Sequence, residues 1–303
     1  MRVKIRDFSR FVITILWKHS LVVKIAFKIW SIKWQVRYQK IEQRSKEGFV
    51  NAHFKCPIYT DTEIKTLSEF FAVFHSLLDP KKVFWFRGHS RLTYKLSPSA
   101  LRYSSEESRN KALSLVTEMK RFLEMKLPRP PAADDDLGWM QVAQHYGLPT
   151  RLLDWTQNAA VALFFACWTN QKDDGLVAVI NPIELNQSVD ARLPRVFTFQ
   201  KDAGLIQSYL KMDGSGSQRG RKTIAINPNW NTERIAMQQG VFTLHGKRFE
   251  IDSSQASSLI CVPILKEHKL ALLNELERVG IGEMFIFPEP EHVCAHLLRS
   301  AKI

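Results

Sequence analysis

Residues 140 to 168, MQVAQHYGLPTRLLDWTQNAAVALFFACW, constrain the fold more than any other stretch of the chain. From Asn158 to Trp168 no side chain is charged, and Ala159, Ala160, Ala162 and Ala166 alternate with bulky apolar residues. A helix that is apolar all round has to be buried, and its small residues let neighbouring backbone come close. Other elements must therefore wrap around this helix. Upstream, a helix reaching His145 is closed by Gly147 and Pro149, because glycine ends a helix at C′ and proline cannot continue one. The segment between them, Thr150 to Thr156, is more polar than a buried strand and more apolar than a loop. Arg151 and Asp154 in such a setting call for partners or a ligand, since unpaired buried charge is expensive.

The remaining pattern predicts a globular body beginning near Asp61. Thr60 or Asp61 caps a helix over 62–78, with Ile64, Leu67, Phe70, Phe71, Phe74 and Leu77 in helical spacing. Val83 to Phe86 reads as a buried strand ending in Arg87-Gly88-His89. A helix over 105–126 follows, then another behind Asp134, Asp135 and Asp136, whose carboxylates suit a helix N-terminus. Leu176 to Ile180, Ile224 to Ile226, Gly240 to Leu244 and Leu259 to Ile264 read as strands, and Lys266 to Val279 as an amphipathic helix. The run DGSGSQRGRK at 213–222 is expected to be a mobile loop. Strands and helices recur without a βαβ period, which predicts an α+β fold: a mixed sheet with surrounding helices.

Charge divides the chain. Residues 1–46 hold twelve Lys and Arg against Asp7 and Glu42, so +10 of the formal +13 sits there and the body is close to neutral. Basicity thus belongs to a terminal segment and does not favour nucleic acid as a partner. Residues 8–34 are largely apolar, but Lys18, Lys24 and Lys28 interrupt them too often for a membrane span. Arg6, Arg10, Lys24 and Lys28 share one helical sector, which predicts a basic amphipathic helix. Three uses stay open: an anionic membrane surface, a partner or second copy, and a cover for the protein's own core. The expected organisation is the basic helical segment over 1–46, a linker over 47–60 and the globular domain over 61–303. Cys56, Cys167, Cys261 and Cys294 form no C-x-x-C pair, which points away from zinc ribbons and dense disulfide scaffolds and towards a reducing cytoplasm, with peripheral contact to the inner face of the membrane as the alternative setting. His292 and His296 near Glu289 and Cys294 have metal-compatible spacing but no matching motif elsewhere, so they are read as residues of a surface helix.

Phe86-Arg87-Gly88, the long motif from Gln144 to Thr156, Arg234 with Gln238 and Gly240-Val241-Phe242, and Phe287-Pro288 together resemble the FRG domain family, named for its aromatic-Arg-Gly motif. The resemblance extends over residues 65 to 300 and implies the domain rather than a reaction. A weaker resemblance links the order of these motifs to toxin-type ADP-ribosyltransferases: an aromatic-Arg strand, a hydroxyl-bearing strand leading into an Ala- and Phe-rich helix, and a strand near a catalytic Glu. It implies NAD as cofactor and a nucleotide or dinucleotide as ligand, and a toxin-like role in bacterial conflict or phage defence.

On that resemblance Arg87, Asp154 and Glu233 are the candidate catalytic residues. Arg87, Gly88, His145, Tyr146, Thr150, Arg151, Thr156 and Gln238 are the candidate cofactor contacts. Arginine's planar fork suits paired oxyanions, Gly88 would admit backbone close to a ligand, Thr150 or Thr156 would meet a ribose, and a carboxylate would stabilise an oxocarbenium-like transition state. The chain departs from the transferase pattern in having Thr-Arg-Leu-Leu-Asp-Trp-Thr for the hydroxyl motif and a lone Glu233 for the acidic pair. A non-catalytic nucleotide- or protein-binding module therefore remains open, as does an Arg151–Asp154 ion pair of structural purpose. A nuclease would draw on Asp154, Glu184 and Glu233, but no metal-ligand spacing supports one.

Overall fold

The computed structural model describes residues 58–60, 62–189, 194–210, 222–230, 232–246, 251 and 259–301. The basic segment over 1–46, most of the linker and nearly all of the run at 213–222 lie outside the described residues. No helix among the described residues is long and apolar enough to cross a membrane.

In chain order the elements are β1 (Ile58–Tyr59), α1 (Leu67–Leu77), β2 (Trp85–His89), α2 (Glu106–Leu123), α3 (Asp136–His145), β3 (Leu152–Thr156), α4 (Ala159–Trp168), β4 (Gly175–Ile180), α5 (Pro182–Gln187), β5 (Phe197–Thr198), α6 (Phe199–Leu210), β6 (Thr223–Asn227), α7 (Glu233–Met237), β7 (Gly240–His245), β8 (Ile260–Ile264), α8 (Lys269–Arg278), α9 (Glu283–Ile286) and α10 (Pro290–Ser300). Eight strands form one mixed sheet in the order β1-β8-β4-β2-β3-β7-β6-β5. The two outermost pairings, β1 with β8 and β5 with β6, are parallel; every inner pairing is antiparallel. The fold is α+β, as the pattern predicts.

Caps set the helix starts. Thr66, not Thr60 or Asp61, opens α1 through a capping box with Glu69. Asp135 opens α3 by accepting from the Gly138 amide at 2.8 Å, and Asn158 opens α4 by accepting from the Ala160 amide at 2.9 Å. The buried α4 lies against β2 and is walled by α1 and α8, with Phe70, Phe74, Val161, Phe164, Val177, Val262 and Leu272 in one apolar cluster. Strand parity puts Trp85, Leu153, Trp155, Leu176, Ala178 and Ile180 into a second cluster on the opposite face. Leu137 and Met140 of α3 cover Leu152, Ile224, Phe242 and Leu244 in a third.

Gly88 shows why β2 and α4 fit together. A Cβ there would lie 2.0 Å from the Ala162 carbonyl oxygen and 2.6 Å from the Ala166 amide nitrogen. Only glycine lets the strand lie this close to the helix, so the expected backbone approach is to α4. Gly147 has another role: at φ +84° it turns the chain after α3 with open space around it. The buried Cys261 is disulfide-bonded, while Cys167 and Cys294 are free thiols.

A cleft at the split between β2 and β3

The sheet is held together unevenly at its centre. β2 matches β4 over five consecutive residue pairs and β3 matches β7 over five, but β2 and β3 share the single pair Phe86–Thr156. Beyond it the strands diverge, and backbone groups that would have bonded across the ladder need other partners. Arg87 supplies one: its Nη1 donates to the Asp154 carbonyl oxygen at 2.5 Å and stands 3.7 Å from the Asp154 carboxylate. Its Nε donates to His89 Nε2 at 3.0 Å. The guanidinium is thereby fixed on two edges, while Nη2 finds no partner among the described residues.

A cavity of about 310 Å³ opens over this split. Phe86, Arg87 and Gly88 line it from β2, Asp154, Trp155 and Thr156 from β3, and Gln141, Gln144 and His145 from α3. Val161 and Phe165 of α4, and Arg234, Ile235, Gln238 and Phe242 around α7 and β7, complete the wall. Asp154 is the single carboxylate among these residues, against two arginines. Its side chain is 62% exposed, and Gln144 Nε2 donates to its Oδ1 at 2.5 Å. Gln144 Oε1 in turn accepts from the Thr150 hydroxyl. A polar chain thus runs from Thr150 through Gln144 and Asp154 to Arg87 and His89.

The electrostatics follow from burial. Burial pushes the Arg87 guanidinium down to about 10, with Asp154 opposing and Arg102 reinforcing the shift; it stays charged at neutral pH. Burial, then Arg87, then Arg102 hold the His89 imidazole well below its ordinary range, so it is neutral. A neutral ring whose Nε2 accepts from Arg87 carries its proton on Nδ1.

The structure redistributes several of the candidate residues. Arg87, Gly88, His145, Asp154, Thr156 and Gln238 line the cavity together. Glu233 does not: it is exposed in the first turn of α7, where a carboxylate complements the helix dipole, and the structure does not bring it together with Arg87 and Asp154. Tyr146 is 60% exposed at the end of α3 and packs edge-on against His145. The Thr156 hydroxyl donates to the Gln238 carbonyl oxygen at 2.6 Å and accepts from the Asn158 amide at 2.9 Å. The Thr150 hydroxyl donates to Gln144 and accepts from the Leu152 amide at 3.1 Å. Both hydroxyl protons are engaged within the fold, Thr156 on the cavity wall and Thr150 outside it. Arg151 is buried beside Thr150 in a different cavity of about 360 Å³, walled by α2 and α3, and burial takes it also to about 10. Asp154 pairs with Arg87, so Arg151 does not join them in the cleft as expected.

Among the polar residues, the candidate set lacks Gln141, Gln144 and Arg234, which line the cavity, and His89, which accepts from Arg87. His89 had a signal, since it stands two residues beyond Arg87 and shares its side of the strand. Gln141, Gln144 and His145 likewise fall on one helical face. Among the described residues, metal-compatible spacing occurs at Glu63, Glu267 and His268, on the exposed surface. His296 instead bonds Glu283, and His292 stacks on Phe287.

Residues 82–175 match the family model of the FRG domain. No curated protein and no solved structure matches the chain. The matched span runs from just before β2 to the first residue of β4, and so contains the split, Arg87 and Asp154, while Arg234 and Gln238 lie beyond it.

Proposed function

Since the chain carries an FRG domain over residues 82–175, we propose that this domain binds a nucleotide-class anionic ligand in the cleft between β2 and β3. One observation carries the reading: a largely buried guanidinium, held by His89 and the Asp154 backbone, lines a cavity while its Nη2 is unclaimed among the described residues. Such a group is pre-organised for a phosphate oxygen, and charge-assisted bonds of this kind are the strong ones. Phe86, Trp155, Phe165 and Phe242 supply apolar wall for the rest of the ligand. About 310 Å³ sits at the small end of the range for ligand pockets, which suits a mononucleotide or one half of a dinucleotide such as NAD.

Asp154 favours a second reading, cleavage of the ligand's N-glycosidic bond. Its carboxylate is oriented by Gln144 and Arg87 on the cavity wall, where it would stabilise an oxocarbenium-like centre. Among the described residues no second carboxylate lines the cavity, so turnover rests on this one group. The test is calorimetric titration of the protein with NAD, ADP-ribose and AMP, alongside chromatography for free nicotinamide. Binding without nicotinamide release identifies a binding module; release that Asp154→Asn abolishes identifies an enzyme. Absence of binding by all three ligands overturns the site.

A further inference from the structure

Arg234 on α7 is the second guanidinium of the cavity, and its surroundings differ from those of Arg87. It lies 5.0 Å over the ring of Phe287, and its Nη1 stands 3.5 Å from Glu289 Oε1. Glu289 is the N-cap residue of α10, where a carboxylate ordinarily accepts from the first free amides of the helix. It does not cap. Both of its oxygens are buried without a hydrogen bond, so Arg234 at 3.5 Å is the charge that compensates it among the described residues. A buried carboxylate held by one long contact is poorly satisfied. The Arg234 side chain, one-third exposed, keeps the freedom to turn towards a better anion. The same segment is tied to α7 by Gln238, whose Nε2 donates to the Ile286 carbonyl oxygen at 2.8 Å, and Phe287 packs edge-on against Phe165 of the cavity wall.

We infer that Glu289 is a built-in competitor for Arg234: it parks the guanidinium over Phe287, and a ligand oxyanion must draw Arg234 away to use it. The inference rests on the anionic-ligand reading of the cleft, and it makes Glu289 a positioning residue that acts through Arg234. Occupancy of the cleft then depends on two arginines of unlike kind, Arg87 fixed and Arg234 contested. A ligand carrying two phosphate groups engages both, and one with a single weak anion leaves Arg234 with Glu289.

The experiment is calorimetric binding of ADP-ribose and of inorganic pyrophosphate to the full chain, as wild type, Glu289→Gln, Glu289→Ala, Arg234→Ala and the Glu289→Gln/Arg234→Ala double variant, with a melting curve for each. Removing the competitor should raise affinity about fivefold, the worth of one partly exposed ion pair. Arg234→Ala should lower affinity, and adding Glu289→Gln to it should give no gain. A residue that merely braces α10 would lower affinity and melting temperature together. If wild type binds and neither Glu289 variant binds more tightly, or if the gain survives without Arg234, the inference fails while the cleft stands. If no protein in the set binds either probe, the cleft reading itself fails, and this inference with it.

Discussion

The two halves of the sheet are alike in construction and differ from the seam between them. On one side β8, β4 and β2 match over runs of five residue pairs, and on the other β3 and β7 do the same. Across the centre one pair, Phe86–Thr156, joins them, and side chains complete what the backbone leaves open. The halves are rigid because each strand satisfies its neighbour's amides and carbonyls. The seam is open because it does not, and an opening in a sheet walled by α3 on one side and α4 on the other is a natural place for a ligand. Polar residues are tolerated at the seam for the same reason: Arg87, Gln144 and Asp154 have one another and the cavity as partners.

The contrast can be broken first on the rigid side. Gly88→Ala places a methyl group against the backbone of α4, which cannot withdraw without separating strand from helix, and should cost about 3 kcal/mol or more in urea unfolding. Gly147→Ala, a glycine strained by its backbone angle but facing open space, should cost only about 1 kcal/mol in the same assay. Equal losses would remove the argument that packing on α4 fixes β2.

At the seam, Thr156→Val removes the hydroxyl that bridges the Gln238 carbonyl and the Asn158 amide beside the single β2–β3 pair. A loss of about 2 kcal/mol is expected, since two backbone groups lose a partner. Unfolding in denaturant reads it, and an unchanged midpoint would show that the seam needs no such bridge.

Acid should act on the seam through His89. Its folded pKa is depressed by burial and by Arg87 and Arg102, so the unfolded chain takes up the proton first. The stability it contributes is complete above its unfolded value of about 6.5 and falls as pH drops below that, by up to about 1.4 kcal/mol per pH unit. Stability measured between pH 7.5 and 5 should show this slope in wild type and a shallower one in His89→Gln. Identical slopes would mean that His89 is not held neutral by burial and its arginine neighbours as described.

The halves were legible in the sequence and the seam was not. Ala-rich α4 declared itself by composition, and Asp135 and Asn158 lie at the helix starts where local chemistry puts capping residues. β3 resisted, because Leu152 to Thr156 gains strand character from pairing with β7, ninety residues away, and carries Asp154 towards the cleft rather than into the core. Long-range pairing of that kind leaves no local period to read. The motif residues were legible as a group but not in their roles. Arg151 and Asp154, three apart, ended at different cavities because strand geometry and a bend separate them, and the backbone that Gly88 admits is that of α4. Arg234 and Glu289 could be brought to the site only by tertiary structure.

The central claim is that Arg87 crosses the seam to present a rigid oxyanion contact. Arg87→Lys keeps the charge and cannot bond His89, Asp154 and a ligand together, so it separates recognition from charge. Calorimetric titration of wild type and Arg87→Lys with ADP-ribose, with melting curves of both, measures it. A 10- to 150-fold loss of affinity is expected, equivalent to about 1.5 to 3 kcal/mol for a charge-assisted bond, with only about 1 kcal/mol lost in stability. Equal affinity in the two proteins, or a collapse in stability that accounts for the lost binding, would contradict it.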